Sequence, residues 1–252
     1  MAHRLLVGLM ILPVAFAVSA CGRSAPPPAE PSTVAAPAQP SVDTADRMAG
    51  HFGKVRELEE AIVRGDLESA KEAAQWIAEQ QEVAGLPVGT ESYVTSTKNA
   101  ARAVAASASL GNAGVAAAFA VAACGECHAA AKVTPKMPEV SPPPTRPGVA
   151  ANMFVHKYAV DLMYRGMVGP SETLWKQGAE VLKGSPLREN DLTKVPEEIV
   201  AFETRVHELA GRAAQAADAG ARIAIYGELI GSCASCHWKH GMVLGAGMPK
   251  TN

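Results

Sequence analysis

The sequence predicts an all-α protein of two consecutive four-helix-bundle blocks, each with one Cys-x-x-Cys-His motif at the end of its last helix. Three observations predict it. No stretch alternates apolar and polar residues with period two, as a half-buried strand would. Asp, Asn or Thr before apolar-periodic segments and Gly after them mark helix starts and stops. The pentapeptide Cys124-Gly125-Glu126-Cys127-His128 returns as Cys233-Ala234-Ser235-Cys236-His237, so the second half of the chain repeats the plan of the first.

At 252 residues the chain has room for two ordinary domains. Apolar residues make up 48% but aromatics only 5%, the balance being largely Ala, Val and Leu. Such helices either pack closely or pack around a large group that is not protein. The formal charge of −2 and the lack of a basic run argue against a nucleic-acid surface.

In the first block four helices are expected. One is capped by Asp43 or Thr44 and runs to Arg64, stopping at Gly65. The next spans 66–83 and ends at Gly85-Leu86-Pro87, the third runs from after Thr90 to Leu110, and the fourth from Asn112 through the motif. The second block repeats this with helices over 151–165, 171–183, 196–217 and 219–237, and a longer connection over 184–195. Trp76 and Trp175 stand at matching places in the two second helices.

The N-terminus has a short basic region (His3, Arg4), an apolar run from Leu5 to Val18, and Val18-Ser19-Ala20-Cys21. The run is too short to span ~20 residues of bilayer, and it reads as an export signal over 1–20. Its end resembles the lipobox of bacterial lipoproteins, which implies that Cys21 is lipidated and anchors the exported protein on the periplasmic side of a membrane. Gly22 in place of an aspartate slightly favours the outer membrane. Residues 21–42 are rich in Pro, Ala and Ser and form an extended tether, able to hold a domain roughly 60 Å from the lipid. Residues 132–149 are a second proline-rich stretch. They separate a first block over 43–131 from a second over 150–252.

In an exported chain, Cys-x-x-Cys-His is the attachment signature of c-type haem. Two thiols three positions apart on a helix each add to one vinyl group, and the following histidine lies under the iron. Two covalently attached haems follow, on Cys124 and Cys127 and on Cys233 and Cys236, with His128 and His237 as proximal iron ligands. Four cysteines could instead hold one zinc ion, but the pairs lie far apart in sequence and each is followed by histidine. Disulfides or a redox Cys-x-x-Cys would need no histidine there.

The two first helices carry matching apolar seams, Met48, His51, Val55, Leu58, Ile62 and Met153, His156, Val160, Met163, Met167. Both are spaced 0, 3, 7, 10 and 14, the inward stripe of a helical bundle. A buried imidazole without a partner costs on the order of 1–3 kcal/mol, and iron would supply that partner. His51 opposite His128 and His156 opposite His237 are therefore the expected distal ligands, with Met48 and Met153, one turn earlier, as alternatives. A different register, aligning Arg64-Gly65 with Arg165-Gly166, shifts the seams by about one turn. His207 lies beside its helix's apolar seam and reads as a surface residue. His240 reads as near a propionate or solvent, and Met242 and Met248 lie too close to the second motif to wrap a haem.

A four-helix block with Cys-x-x-Cys-His at the end of its last helix resembles the cytochrome c′ and cytochrome c-556 group. The resemblance covers about residues 43–131 and 150–240. It implies a haem inside each bundle, with the proximal histidine on the last helix and any sixth ligand on the first. Many members of the first group leave the sixth site open, whereas the second fills it with methionine. This chain departs by offering histidine beside methionine.

The expected function is electron transfer between other redox proteins in the periplasm or at the membrane surface. The alternative is a gas-binding or sensing protein with an open distal site. No enzyme activity is expected, since the sequence places no Glu/Gln/Arg cluster of the kind peroxide chemistry needs. Pairing of two chains into a homodimer stays open, being common among bundle cytochromes.

Overall fold

A computed structural model describes residues 42–80, 85–143, 148–187 and 196–239. Among these, eight α-helices and no strands occur: α1 (Val42–Arg64), α2 (Leu67–Glu79), α3 (Glu91–Ala105), α4 (Leu110–Ala131), α5 (Val149–Val168), α6 (Glu172–Lys183), α7 (Glu197–Gln215) and α8 (Ala219–Lys239). The signal and lipidation residues, Cys21 among them, lie outside the described residues, as do His3, His240, Met242 and Met248.

Side-chain caps set several boundaries. Asp66 accepts the Ser69 N–H at 3.0 Å, Ser109 that of Asn112 at 3.2 Å, Ser171 that of Leu174 at 3.3 Å and Asp218 that of Ala221 at 2.8 Å. Gly65, at φ +82°, supplies the left-handed residue that stops α1. Ser109, rather than Asn112, caps the fourth helix, and α5 continues three residues past the expected end at Arg165. Residues 133–143 carry no helix or strand.

Helices consecutive in each half pack side by side, α1 to α4 in turn and α5 to α8 in turn. The two halves do not stand apart. Their most extensive pairing is α4 with α8, while α1 also lies on α8 and α5 on α4. All described helices belong to one compact unit. By length and composition α4 could cross a membrane, but half of its apolar window is buried against other helices.

The α4–α8 crossing depends on missing side chains. A Cβ on Gly227 would lie 2.8 Å from Val115 Cα, one on Gly114 2.8 Å from Gly227 O, and one on Gly231 3.2 Å from Gly111 Cα. Nothing lies within 4 Å of a Cβ on Gly211 in α7. Alanine favours a helix over glycine by roughly 1 kcal/mol, so Gly211→Ala is expected to stabilise by about that amount. Gly227→Ala should instead destabilise by about 1–2 kcal/mol, because overpacking outweighs the helix preference. Opposite signs in denaturant unfolding are the expected result; two stabilising changes would refute the close approach.

Both seams point inward at Val55, Leu58 and Ile62 and at Val160, Met163 and Met167, all buried. The tryptophans do not match: Trp175, four residues after its cap, is fully buried and donates to Ala213 O at 2.8 Å, whereas Trp76, ten after its cap, is partly buried. Between α1, α5 and α8 lies a polar network. Arg56 bonds Glu59 at 2.7 Å and Asp161 at 2.6 Å and stacks 4.8 Å over Tyr164, while the Tyr226 hydroxyl donates to Glu59 at 2.9 Å. Arg56 and Asp161 occupy equivalent seam-register positions, 161 − 56 = 105, as do His51 and His156, 156 − 51 = 105.

Candidate functional site

The two Cys-x-x-Cys-His segments form the last turns of α4 and α8, and all four cysteines are free thiols. Burial pushes Cys124 up to about 11, against a hydrogen bond with Thr97 on α3, and Cys233 up to about 12. It raises Cys127 and Cys236 as well. Such thiols stay protonated at neutral pH.

The motif histidines reach across to the opposite half. His128 Nδ1 lies 2.8 Å from the carbonyl oxygen of Val168 at the end of α5. His237 Nδ1 hydrogen-bonds the carbonyl of Val63 at the end of α1. A carbonyl only accepts, so Nδ1 carries the proton in both rings and the lone pair sits on Nε2. Val63 and Val168 are themselves equivalent, since 168 − 63 = 105, and the histidines are related by 237 − 128 = 109. Ser109 and Asp218, the caps of α4 and α8, show the same spacing of 109. This geometry selects the seam register that pairs His51 with His156 over the one that pairs Arg64 with Arg165.

His156 is buried on α5, and its Nε2 donates to Ser185 O at 2.9 Å. Burial, then nearby His207 and His237, lower its pKa against the Ser185 bond and Glu203. The ring meets that of His207 edge-on, with centroids 5.5 Å apart. His207 Nε2 lies 2.9 Å from Glu203 one turn earlier on α7, and its buried Nδ1 finds no hydrogen-bond partner. Burial raises the Glu203 carboxyl, but the His207 bond and the Leu187 N–H together hold it below its ordinary value. Glu203 also acts electrostatically on both Cys233 and Cys236. The ligating atoms of His156, Glu203 and His207 lie within 4.8 Å of one another, a set that could hold a metal ion.

His51 is half-buried on α1. Its ring meets Trp76 edge-on at 5.5 Å, and burial followed by Lys98 lowers its pKa. Lys98 follows Thr97, the partner of Cys124, in sequence. Lys98 and His207 are equivalent by the spacing of 109, so each first-helix histidine faces the same position of its third helix. Met48 and Met153 are partly buried, one turn before these histidines. Tyr164, whose buried hydroxyl also lacks a partner, neighbours Cys124.

The structure thus gathers His156 with the second motif and His51 with the α3 turn beside the first. His207, read from sequence as a surface residue, is partly buried and belongs to the second group with Glu203. The signal for it was the i,i+4 pair Glu203 and His207, which share one helix face. The chain matches no family model, no curated protein and no solved structure.

Proposed function

We propose that the chain is a dihaem c-type cytochrome that transfers electrons between redox proteins at the periplasmic face of a bacterial membrane, tethered there through a lipid on Cys21. Cys124 and Cys127 hold one haem and Cys233 and Cys236 the other, each within one of two four-helix blocks of the cytochrome c′/c-556 type. His128 and His237 face the irons through Nε2. Haem supplies reversible one-electron chemistry.

One observation carries this reading. Both motif histidines give their Nδ1 proton to a main-chain carbonyl, which fixes the tautomer and makes Nε2 a more basic ligand, as metal-bound histidines do. The first-helix residues His51 and His156, with Met48 and Met153 as alternatives, offer the sixth positions. Filling them favours relay over substrate binding, so the protein acts as a carrier and not an enzyme.

At the second centre one observation favours the alternative, an open gas-binding site. His156 Nε2 is engaged by Ser185 O, so the ring must give up that bond, or turn its Nδ1 to the metal, before it ligates. Haem staining of a denatured gel, followed by spectra of oxidised and reduced protein with and without carbon monoxide, tests both readings. Covalent haem with sharp low-spin bands unmoved by the gas is expected for relay. A gas-binding high-spin component removes the second centre from the relay, and absence of stain sinks the haem reading.

Replacing both His51 and His156 by alanine is expected to convert low-spin bands to high-spin ones. If the bands persist and vanish only in the Met48→Ala, Met153→Ala protein, methionine is the ligand. That ligand brings a higher potential.

A further inference from the structure

Each first helix ends against the motif of the other half, and this has a consequence for the haem centres proposed above. We propose that the two halves exchange the supports of their motif histidines, so that α1 and α5 each connect both centres. This rests on the electron-transfer reading for its consequence, though the exchange itself stands on the protein's own contacts.

Helix ends make the exchange chemically sensible. The last four carbonyls of a helix have no partner within it, and they carry the negative end of its dipole. At the end of α1, Gly65 N–H and Asp66 N–H take the carbonyls of Ile62 and Ala61, and His237 takes that of Val63. At the end of α5, Gly169 N–H and Ser171 N–H take those of Arg165 and Gly166, and His128 takes that of Val168. Each imidazole proton therefore meets a terminal carbonyl that the local turn leaves over.

The motif backbone fits the same helix ends. A Cβ on Gly125, between Cys124 and Cys127, would lie 2.0 Å from Met167 O. On the other side, a Cβ on Gly65 would lie 3.2 Å from Ala234 O, between Cys233 and Cys236, and 3.2 Å from Trp238 N. So α1 presents His51 to its own half and, 12 residues or about 18 Å further on, a carbonyl to the other. The same holds for His156 and Val168 on α5. A carbonyl accepting the Nδ1 proton makes Nε2 more electron-rich and favours the oxidised metal; its loss raises the reduction potential.

The test uses full-length protein with one haem at a time. Cys124→Ala with Cys127→Ala leaves only the second haem, and Cys233→Ala with Cys236→Ala only the first. Gly65→Ala is added to each, a change in the first half that strains a left-handed residue and pushes on the second motif. An upward shift of the midpoint potential is expected for the protein with the second haem, and none for the protein with the first. A shift confined to the first haem, equal shifts in both, or none in either would overturn the proposal.

A second measurement needs no substitution. In nuclear magnetic resonance of the reduced protein, the Nδ1 proton of His128 is expected to exchange slowly and to contact Val168, and that of His237 to contact Val63. Fast exchange of both, or a His128 contact with Val63, refutes the exchanged supports. If the purified chain carries no covalent haem, the electron-transfer reading fails, while the same proton contacts measured on that chain still decide the exchange.

Discussion

Arg56→Met is expected to lower the unfolding free energy by about 3–5 kcal/mol, the usual cost of removing one partner from a buried ion pair. Arg56 lies between Glu59, 2% exposed, and Asp161, 9% exposed, and Glu59 also takes the Tyr226 hydroxyl. Methionine fills similar space but leaves buried Glu59 without its cation and Asp161 with only the half-exposed Lys157, 2.8 Å away. Lys157, at the partly exposed edge of the network, cannot replace it, since exposed pairs contribute little. A fourfold variant of Arg56→Met with Glu59→Gln, Glu60→Gln and Asp161→Asn should recover most of the loss, because it leaves no buried charge unpaired and only the half-exposed Lys157 without these acidic partners. Urea unfolding followed by helical circular dichroism measures both; a loss under about 1 kcal/mol, the range of an exposed pair, would show the network to be solvated.

The pH dependence has a definite sign. Burial pushes the Glu59 carboxyl above its ordinary value, against the opposing pull of Arg56. A group whose folded pKa is raised adds stability that is fully present below its unfolded pKa and is lost as pH rises through the folded one. Without Arg56 the opposing pull disappears. The Arg56→Met protein should therefore regain stability on acidification toward the ordinary carboxylate range, and its deficit should be greatest near neutrality.

The second large effect concerns the motifs. Cys233→Ala with Cys236→Ala is expected to remove one of the two haems, leaving about half the haem absorbance per chain and no change in the other centre's covalent stain. The same substitutions at Cys124 and Cys127 should do likewise, and all four together should abolish the stain. If either double variant keeps full haem content, attachment does not run through these cysteines. If the unsubstituted protein instead yields zinc and no haem, a thiolate site replaces the haem reading.

Most helices were legible because their ends are written locally. Asp66, Ser171 and Asp218 cap, Gly65 stops, and the apolar positions Val55, Leu58, Ile62 and Val160, Met163, Met167 repeat at the spacing of a buried face. Residue type does not single out Ser109 as the start of α4, since Asn112, three residues on, is as good a cap. Trp76 and Trp175 misled for a similar reason: equal residue type at nearly equal place does not ensure equal depth. His207 stayed hidden because its burial comes from α5, an element distant in sequence, and not from its own helix's stripe.

By itself the sequence determined the all-α character and the twofold recurrence of the Cys-x-x-Cys-His ends, because spacing and residue type are properties of a short stretch of chain. Only the tertiary structure decided which helix each motif meets. Periodicity says that a helix has a buried face but not what buries it. That choice lay with the close crossing at Gly114, Gly227 and Gly231, which sets α4 against α8 and so carries each motif to the far end of the other half's first helix. There the terminal carbonyls of Val63 and Val168 need donors, and the two histidines supply them.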